Sequence, residues 1–424
     1  MVLDSPALFN NYRSPNCLEM PGSVGELGIS ESLAFDLFLK QTFNAGTCTL
    51  RGIARSLRLP VQVVESMFHS LKVQQLIDVK GAYGEDYSFG LSEKGRKMAF
   101  ERMQISRYAG AVPVSLATYS DVVRAQKSQT RVSRQSVERA YSDLTLEPTL
   151  INKLGPALFS QRSMFLFGPS GTGKSALAER LLRIFDETIL VPYAIEAAGN
   201  IVSVFDPSVH EIVEEDHGGD PRWARCRRPC IIVGGELIPS MLELQRDPET
   251  ASYVAPLHMK ANNGVFVIDD FGRQMISPRD LLNRWIVPLD RRVDFLALSN
   301  GAKFAIPFEV FVVFSTNLNP EELADEAFLR RIPNKILVDA VSPAVFDGIV
   351  EKRLESCGWP VEPHAQEYLR TLCASRGGDL RPCYPRDLFR IIESISGFED
   401  REAQLNKTDL DRAAELYFGA VGKN

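Results

Sequence analysis

The stretch Gly168-Pro169-Ser170-Gly171-Thr172-Gly173-Lys174-Ser175 constrains this chain more than any other. It follows the apolar run Met164-Phe165-Leu166-Phe167 and precedes Ala176-Leu177-Ala178-Glu179-Arg180-Leu181-Leu182-Arg183, so it reads as strand, glycine loop and helix. A G-x-x-x-x-G-K-S loop in that context turns successive backbone N–H groups onto phosphate oxygens, and the start of the helix adds a positive partial charge. Lys174 is then expected to reach the terminal phosphates of ATP and Ser175 to hold Mg²⁺. The bland alternative is a chance glycine turn, and the coincidence of pattern with context weighs against it.

A second apolar run, Gly264-Val265-Phe266-Val267-Ile268, ends in Asp269-Asp270. Such a run fits a strand buried on both faces of a parallel sheet. Asp269 is expected in the Mg²⁺ shell and Asp270 beside the attacking water. The two acids could instead cap the next helix.

At 424 residues the chain exceeds what one core usually serves, so two or three domains are expected. Its 45% hydrophobic and 24% charged residues are those of a soluble globular protein, and a net charge of -6 creates no general field for nucleic acid or an anionic membrane. Residues 1–25 carry early acids at Asp4 and Glu19 and read as neither secretory signal nor anchor. No stretch approaches the roughly 20 apolar residues of a membrane helix. Seven irregularly spaced cysteines suit free thiols in a reducing cytoplasm.

Residues 1–110 read as a separate N-terminal domain. Helical patterns near Leu33 to Phe38, at Thr49 to Leu57 and at Val61 to Gln74 precede strand-like Ile77-Asp78-Val79-Lys80 and Tyr87-Ser88-Phe89, which flank a turn at Gly81 to Gly84. The order resembles a winged helix. Its third helix offers Lys72 against Glu65, little for phosphate neutralisation, so protein docking is expected ahead of DNA binding; the row Arg51, Arg55, Arg58 keeps DNA open. Residues 111–148 read as a polar linker. Ser203 to Pro229 reads as a long polar loop. His210, His217, Cys226 and Cys230 within it and at its edge match no familiar zinc spacing; substrate contact and a plain solvated loop both remain open.

With both phosphate-site motifs in place, the chain from Thr149 to its C-terminus resembles the AAA+ ATPases. The resemblance implies an α/β P-loop domain over 149–340, a parallel sheet with helices on both faces, followed by a small helical lid over 341–424. Asn317, at the tip of Phe311-Val312-Val313-Phe314-Ser315-Thr316, matches the sensor that orients the water or the γ-phosphate. Arg330 and Arg331 match the arginine-finger segment that serves a neighbouring subunit, and Arg386 in Tyr384-Pro385-Arg386-Asp387 matches a lid arginine that contacts phosphate. Most members carry glutamate where Asp270 stands. Lys260 to Gly264, Leu281 to Asp290 and a hairpin pattern from Val293 to Pro307 with Asn300-Gly301 at its turn resemble the MoxR and magnesium-chelatase branch. That branch implies a homo-oligomeric ring, a hexamer, acting on a protein partner. The expected activity is therefore that of an ATP-hydrolysing, Mg²⁺-dependent remodelling motor. The competing expectation is a DNA-binding regulator switched by slow ATP turnover.

Overall fold

The computed structural model describes residues 18–83, 86–127, 132–185, 187–214, 218–323 and 325–419. At its centre lie five parallel strands: β1 (Met164–Phe167), β2 (Cys230–Val233), β3 (Val265–Ile268), β4 (Phe311–Thr316) and β5 (Asn334–Leu337). They are ordered β2-β3-β4-β1-β5. Every residue of β3 and β4 is buried, because the sheet is covered on both faces. Phe165, Phe266, Ile268, Val312 and Phe314 enter one core together with Trp285 of the helix Pro278–Arg291. The alternate residues Met164, Leu166, Val265, Val267 and Val313 enter a second core with Leu154 and Leu158 of the helix Pro148–Ser160. This two-sided burial explains why the strands read as unbroken apolar runs. Because β1, β4 and β3 are neighbours, their C-terminal ends bring Gly168, Asn317 and Asp269 to one edge of the sheet, where ligands of open α/β sheets bind.

A β module with its own core departs from expectation. Thr188–Pro192, Trp223–Arg227 and Ile212–Glu214 form an antiparallel sheet, and a second, five-stranded sheet includes Ala194–Ala197, Asn200–Ser203 and Val114–Ser115. The supposed linker therefore contributes a strand and the helix Leu116–Ala125, whose Tyr119, Val122 and Val123 are buried in this core. Residues 134–140 form another helix, packed on the central sheet through Val137 and Ala140. Three apolar positions at helical spacing are too few to announce a core when their partners are short strands elsewhere in the chain. Ser203 to Pro229 is likewise not a single loop: its described residues include the strands Ile212–Glu214 and Trp223–Arg227 along with turns and loops. In Trp223–Arg227 the buried Ala224 and Cys226 alternate with Arg225 and Arg227, which pair with Glu214 at 3.3 Å and Glu211 at 3.0 Å. Arginines on alternate positions made a half-buried strand look like a polar loop.

The Asn300-Gly301 hairpin forms as the pattern predicts, with Val293–Ala297 antiparallel to Lys303–Pro307 and Gly301 at φ 85°. Its Leu296, Phe304 and Ile306 belong to the β-module core.

The N-terminal helices Glu31–Ala45, Leu50–Leu57, Val61–Val73 and Glu93–Ile105 surround a three-stranded sheet. The strand Ile77–Tyr83 continues through the expected turn, whose Gly84 lies outside the described residues. This unit packs directly on the β module: Ala194 and Ile201 enter its core, and the Arg58 guanidinium lies 4.7 Å from the Tyr193 ring centroid. The buried Arg222, paired with Asp220 at 2.7 Å, donates to the carbonyls of Leu27 at 2.8 Å and Pro113 at 3.3 Å. Beyond β5, the helices α1 (Pro343–Cys357), α2 (Ala365–Gly377), α3 (Cys383–Phe398) and α4 (Lys407–Phe418) build the helical lid around Phe346, Leu388 and Leu410.

The hairpin is anchored by a buried carboxylate. Asp294 lies 2.7 Å from His258 Nε2 and accepts from Arg284 at 2.6 and 2.9 Å. Burial raises its pKa, but the His258 and Arg284 contacts outweigh that and hold it at about 2. A folded-state pKa below the ordinary value contributes stability above about pH 4 that is lost as pH falls through 2. Asp294→Asn should therefore lose about 2 kcal/mol or more at pH 7 and flatten the acid limb between pH 4 and 2. Urea unfolding at several pH values measures both, and an unchanged acid limb would exclude this anchor.

A candidate nucleotide site at the mouth of the central sheet

The glycine loop joins β1 to a helix, Lys174–Glu179, shorter than the sequence suggests because Leu181–Ile184 tightens into a 3₁₀ turn. Gly171 and Gly173 adopt φ of 81° and 94°, values that side-chain-bearing residues rarely take. Lys174, 7% exposed, folds back so that its Nζ donates to the carbonyls of Gly168 at 2.9 Å and Pro169 at 2.8 Å. Burial lowers its pKa, against the opposing pull of Asp269 and Asp270. Thr172 Oγ1 donates to the Pro169 carbonyl at 3.0 Å, closing the loop on itself.

Ser175 Oγ donates to Asp269 Oδ2 at 2.6 Å. Both are hard oxygen ligands, and adjacent ligands of an octahedral Mg²⁺ at 2.0–2.1 Å stand about 2.9 Å apart, so a slight opening of this pair fits the ion. The other Asp269 oxygen accepts from the Asp270 amide at 3.0 Å. Asp270 itself has φ 48°, and its Oδ1 lies 3.5 Å from Asn317 Nδ2. Sequence reasoning missed Gln274, whose Nε2 donates to the Asp269 carbonyl at 2.8 Å and braces the turn that carries both acids.

These groups open on a cleft of about 930 Å³, within the size range of small-molecule sites. Ser170 to Ser175, Asp269, Asp270, Asn317 and Arg386 all line it. Arg386 is largely exposed and its Nε donates to Asp387 at 3.0 Å. Leu144, Leu146, Leu150, Val341 and Ile349 add apolar lining to it. None of the five stood out in the sequence, because they come from a short polar-flanked segment and from the start of the lid.

The lid touches the loop directly. The Cys383 amide donates to the Gly171 carbonyl at 3.3 Å, and Arg381, held by Asp379 at 2.7 Å, donates to the Ser170 carbonyl at 3.1 Å. A Cβ on Gly171 would come within 2.5 Å of Cys383 Sγ. Arg330 and Arg331, by contrast, are not among the residues lining the cleft. Arg330 pairs with Glu326 at 2.9 Å and Arg331 with Asp290 at 2.6 Å.

The zinc alternative is not supported. Both nitrogens of His210 are engaged, Nδ1 with the Asp206 amide at 2.9 Å and Nε2 with the Lys260 carbonyl at 2.9 Å, and Cys226 is buried in the β-module core. His217 lies outside the described residues, among which no cluster of three or more metal-ligating His, Cys, Asp or Glu occurs.

Lid residues 342–416 match a family described as a domain of unknown function, DUF8689. No curated protein matches the chain by sequence. In fold the chain is similar to NtrX from Brucella abortus, at 12% identity and a TM-score of 0.38, over 74% of this chain and 59% of that one. It is also similar to the same protein in complex with ADP, at 15% identity and a TM-score of 0.40, over 65% and 57% of the two chains. A third likeness is to the RuvB Holliday junction branch migration motor of Thermotoga maritima, at 14% identity and a TM-score of 0.36, over 69% and 72%. The chain thus spans less than two thirds of the NtrX length.

Gly171→Ala combines a left-handed backbone cost of roughly 1–2 kcal/mol with the Cys383 clash. It should separate lid from loop and weaken nucleotide binding at least tenfold while the rest of the molecule stays folded. Hydrogen exchange at the start of α3 together with nucleotide titration checks this, and unchanged protection and affinity would contradict the contact.

Proposed function

We propose that this chain is an ATPase of the AAA+ kind that works as a homo-oligomer to remodel a protein partner. The observation that carries the reading is the convergence of the glycine loop, the Asp269-Asp270 pair and Asn317 on one cleft roofed by the helical lid. Lys174 Nζ donates to two carbonyls, and phosphate oxygens would draw its ammonium away from them. Ser175 and Asp269 would hold Mg²⁺, which when bound neutralises charge on the β- and γ-phosphates. Asp270, with Asn317 beside it, would orient and polarise the attacking water. A side chain one methylene shorter than glutamate places that carboxylate farther from the water, so slow turnover is expected.

Arg386 would meet phosphate from the lid, and Arg381 and Cys383 would couple lid position to loop conformation. The base would lie against Leu144, Leu146 and Ile349. Arg330 and Arg331, outside the cleft of their own chain, would serve the nucleotide of a neighbouring subunit. We read the N-terminal unit as a winged helix used for protein docking, because Arg58 is already spent on Tyr193 and Glu65 lies beside His69 at 3.8 Å on the third helix. Residues 149–340 and 341–424 would act as the nucleotide domain and lid.

The test is MgATP binding and phosphate release by the full chain. Lys174→Ala should lose binding, whereas Asp270→Asn should bind near normally and hydrolyse roughly 10²-fold or more slowly. Wild-type affinity in Lys174→Ala by calorimetry would overturn the assignment. Submicromolar, steeply salt-dependent DNA binding by the full chain would instead favour the regulator reading.

A further inference from the structure

At the N-terminal ends of β3 and β4, on the edge of the sheet opposite the cleft, lies a small cavity of about 40 Å³. Lys127, Arg228 and Arg292 line it, with Glu309 the carboxylate among the lining residues.

Arg228 is 8% exposed. Its terminal nitrogens donate to the carbonyls of Asn263 at 2.6 Å and Gln126 at 3.1 Å and to Glu187 at 2.7 Å, but its Nε has no partner among the described residues. Arg292 donates only to neutral groups among the described residues, the carbonyls of Val310 at 3.2 Å and Gln161 at 3.3 Å. Lys127 stands 3.8 Å from Glu309. Three cations thus face two carboxylates, and one buried guanidinium N–H is left unsatisfied. A buried donor without an acceptor is costly, more so when it is charged.

We propose that this cavity binds a small inorganic oxyanion, of phosphate size or smaller, held by Arg292 and Lys127 with the Arg228 guanidinium in its wall. Burial lowers the pKa of both arginines, against the opposing pull of Glu187 on Arg228 and of Glu309 on Arg292. Arg292 immediately precedes the 293–307 hairpin and Glu309 closely follows it, so the bound anion would tie the root of the hairpin to the base of the strand that carries Asp269 and Asp270.

Inorganic phosphate could also enter the glycine loop, so the titration is run on full-length Lys174→Ala as well as wild type, at constant ionic strength, by calorimetry and thermal shift. Saturable phosphate binding is expected in both. Adding Arg292→Gln should weaken the Lys174-independent binding about tenfold or more. Lys127→Gln, at an exposed side chain that does not endanger folding, should weaken it by a few fold. Circular dichroism establishes that each variant is folded. No saturable binding in Lys174→Ala, or binding that ignores both Lys127→Gln and Arg292→Gln, would overturn the proposal.

Discussion

The mouth of the central sheet depends on where the Lys174 ammonium goes. It is nearly buried, and in this structure its charge is met by the carbonyls of Gly168 and Pro169 at 2.9 and 2.8 Å and by the field of Asp269 and Asp270. Carbonyl dipoles satisfy a buried ammonium less fully than an anion does, so the closed loop is poised for exchange. The same loop meets the lid through Ser170 and Gly171 and the acidic strand end through Ser175. A change in what Lys174 touches therefore bears on three parts of the molecule, two of them 211 residues apart at Ser170 and Arg381.

The site was legible where chemistry demands particular residues at fixed local spacing. Left-handed φ values at Gly171 and Gly173 exclude most other residues, and two-sided burial forces β3 and β4 into apolar runs that end at polar tips. The hairpin was legible for the same reason, since Asn300-Gly301 suits the turn it makes. The β module was not. Its strands are two to five residues long, its core is assembled from segments scattered between Leu18 and Ile306, and its charged positions pair across strands. Tyr119 and Val123 had no visible partner until Phe304 and Ile306 were placed beside them. The lid contact escaped for a similar reason, because Arg381 and Cys383 meet the loop through backbone carbonyls that leave no trace in side-chain pattern.

The placement of the arginines shapes the functional account most. Lys174, Asp269, Asp270 and Asn317 share one cleft, while Arg330 and Arg331 stand outside it in ion pairs with Glu326 and Asp290. A phosphoryl-transfer site with Lys174 and Arg386 but no arginine finger would be slow, since such arginines contribute roughly 10³–10⁵ in turnover elsewhere. On this account a second copy of the chain supplies it, and the active unit is an interface between two copies.

The most direct measurement mixes two inactive full-length variants, Arg330→Ala with Arg331→Ala in one chain and Lys174→Ala in the other, and follows phosphate release with mixed oligomers verified by mass. Interfaces that join an intact loop to intact arginines should restore activity that neither variant has alone. A mixture that assembles yet stays inactive would contradict a site shared between subunits.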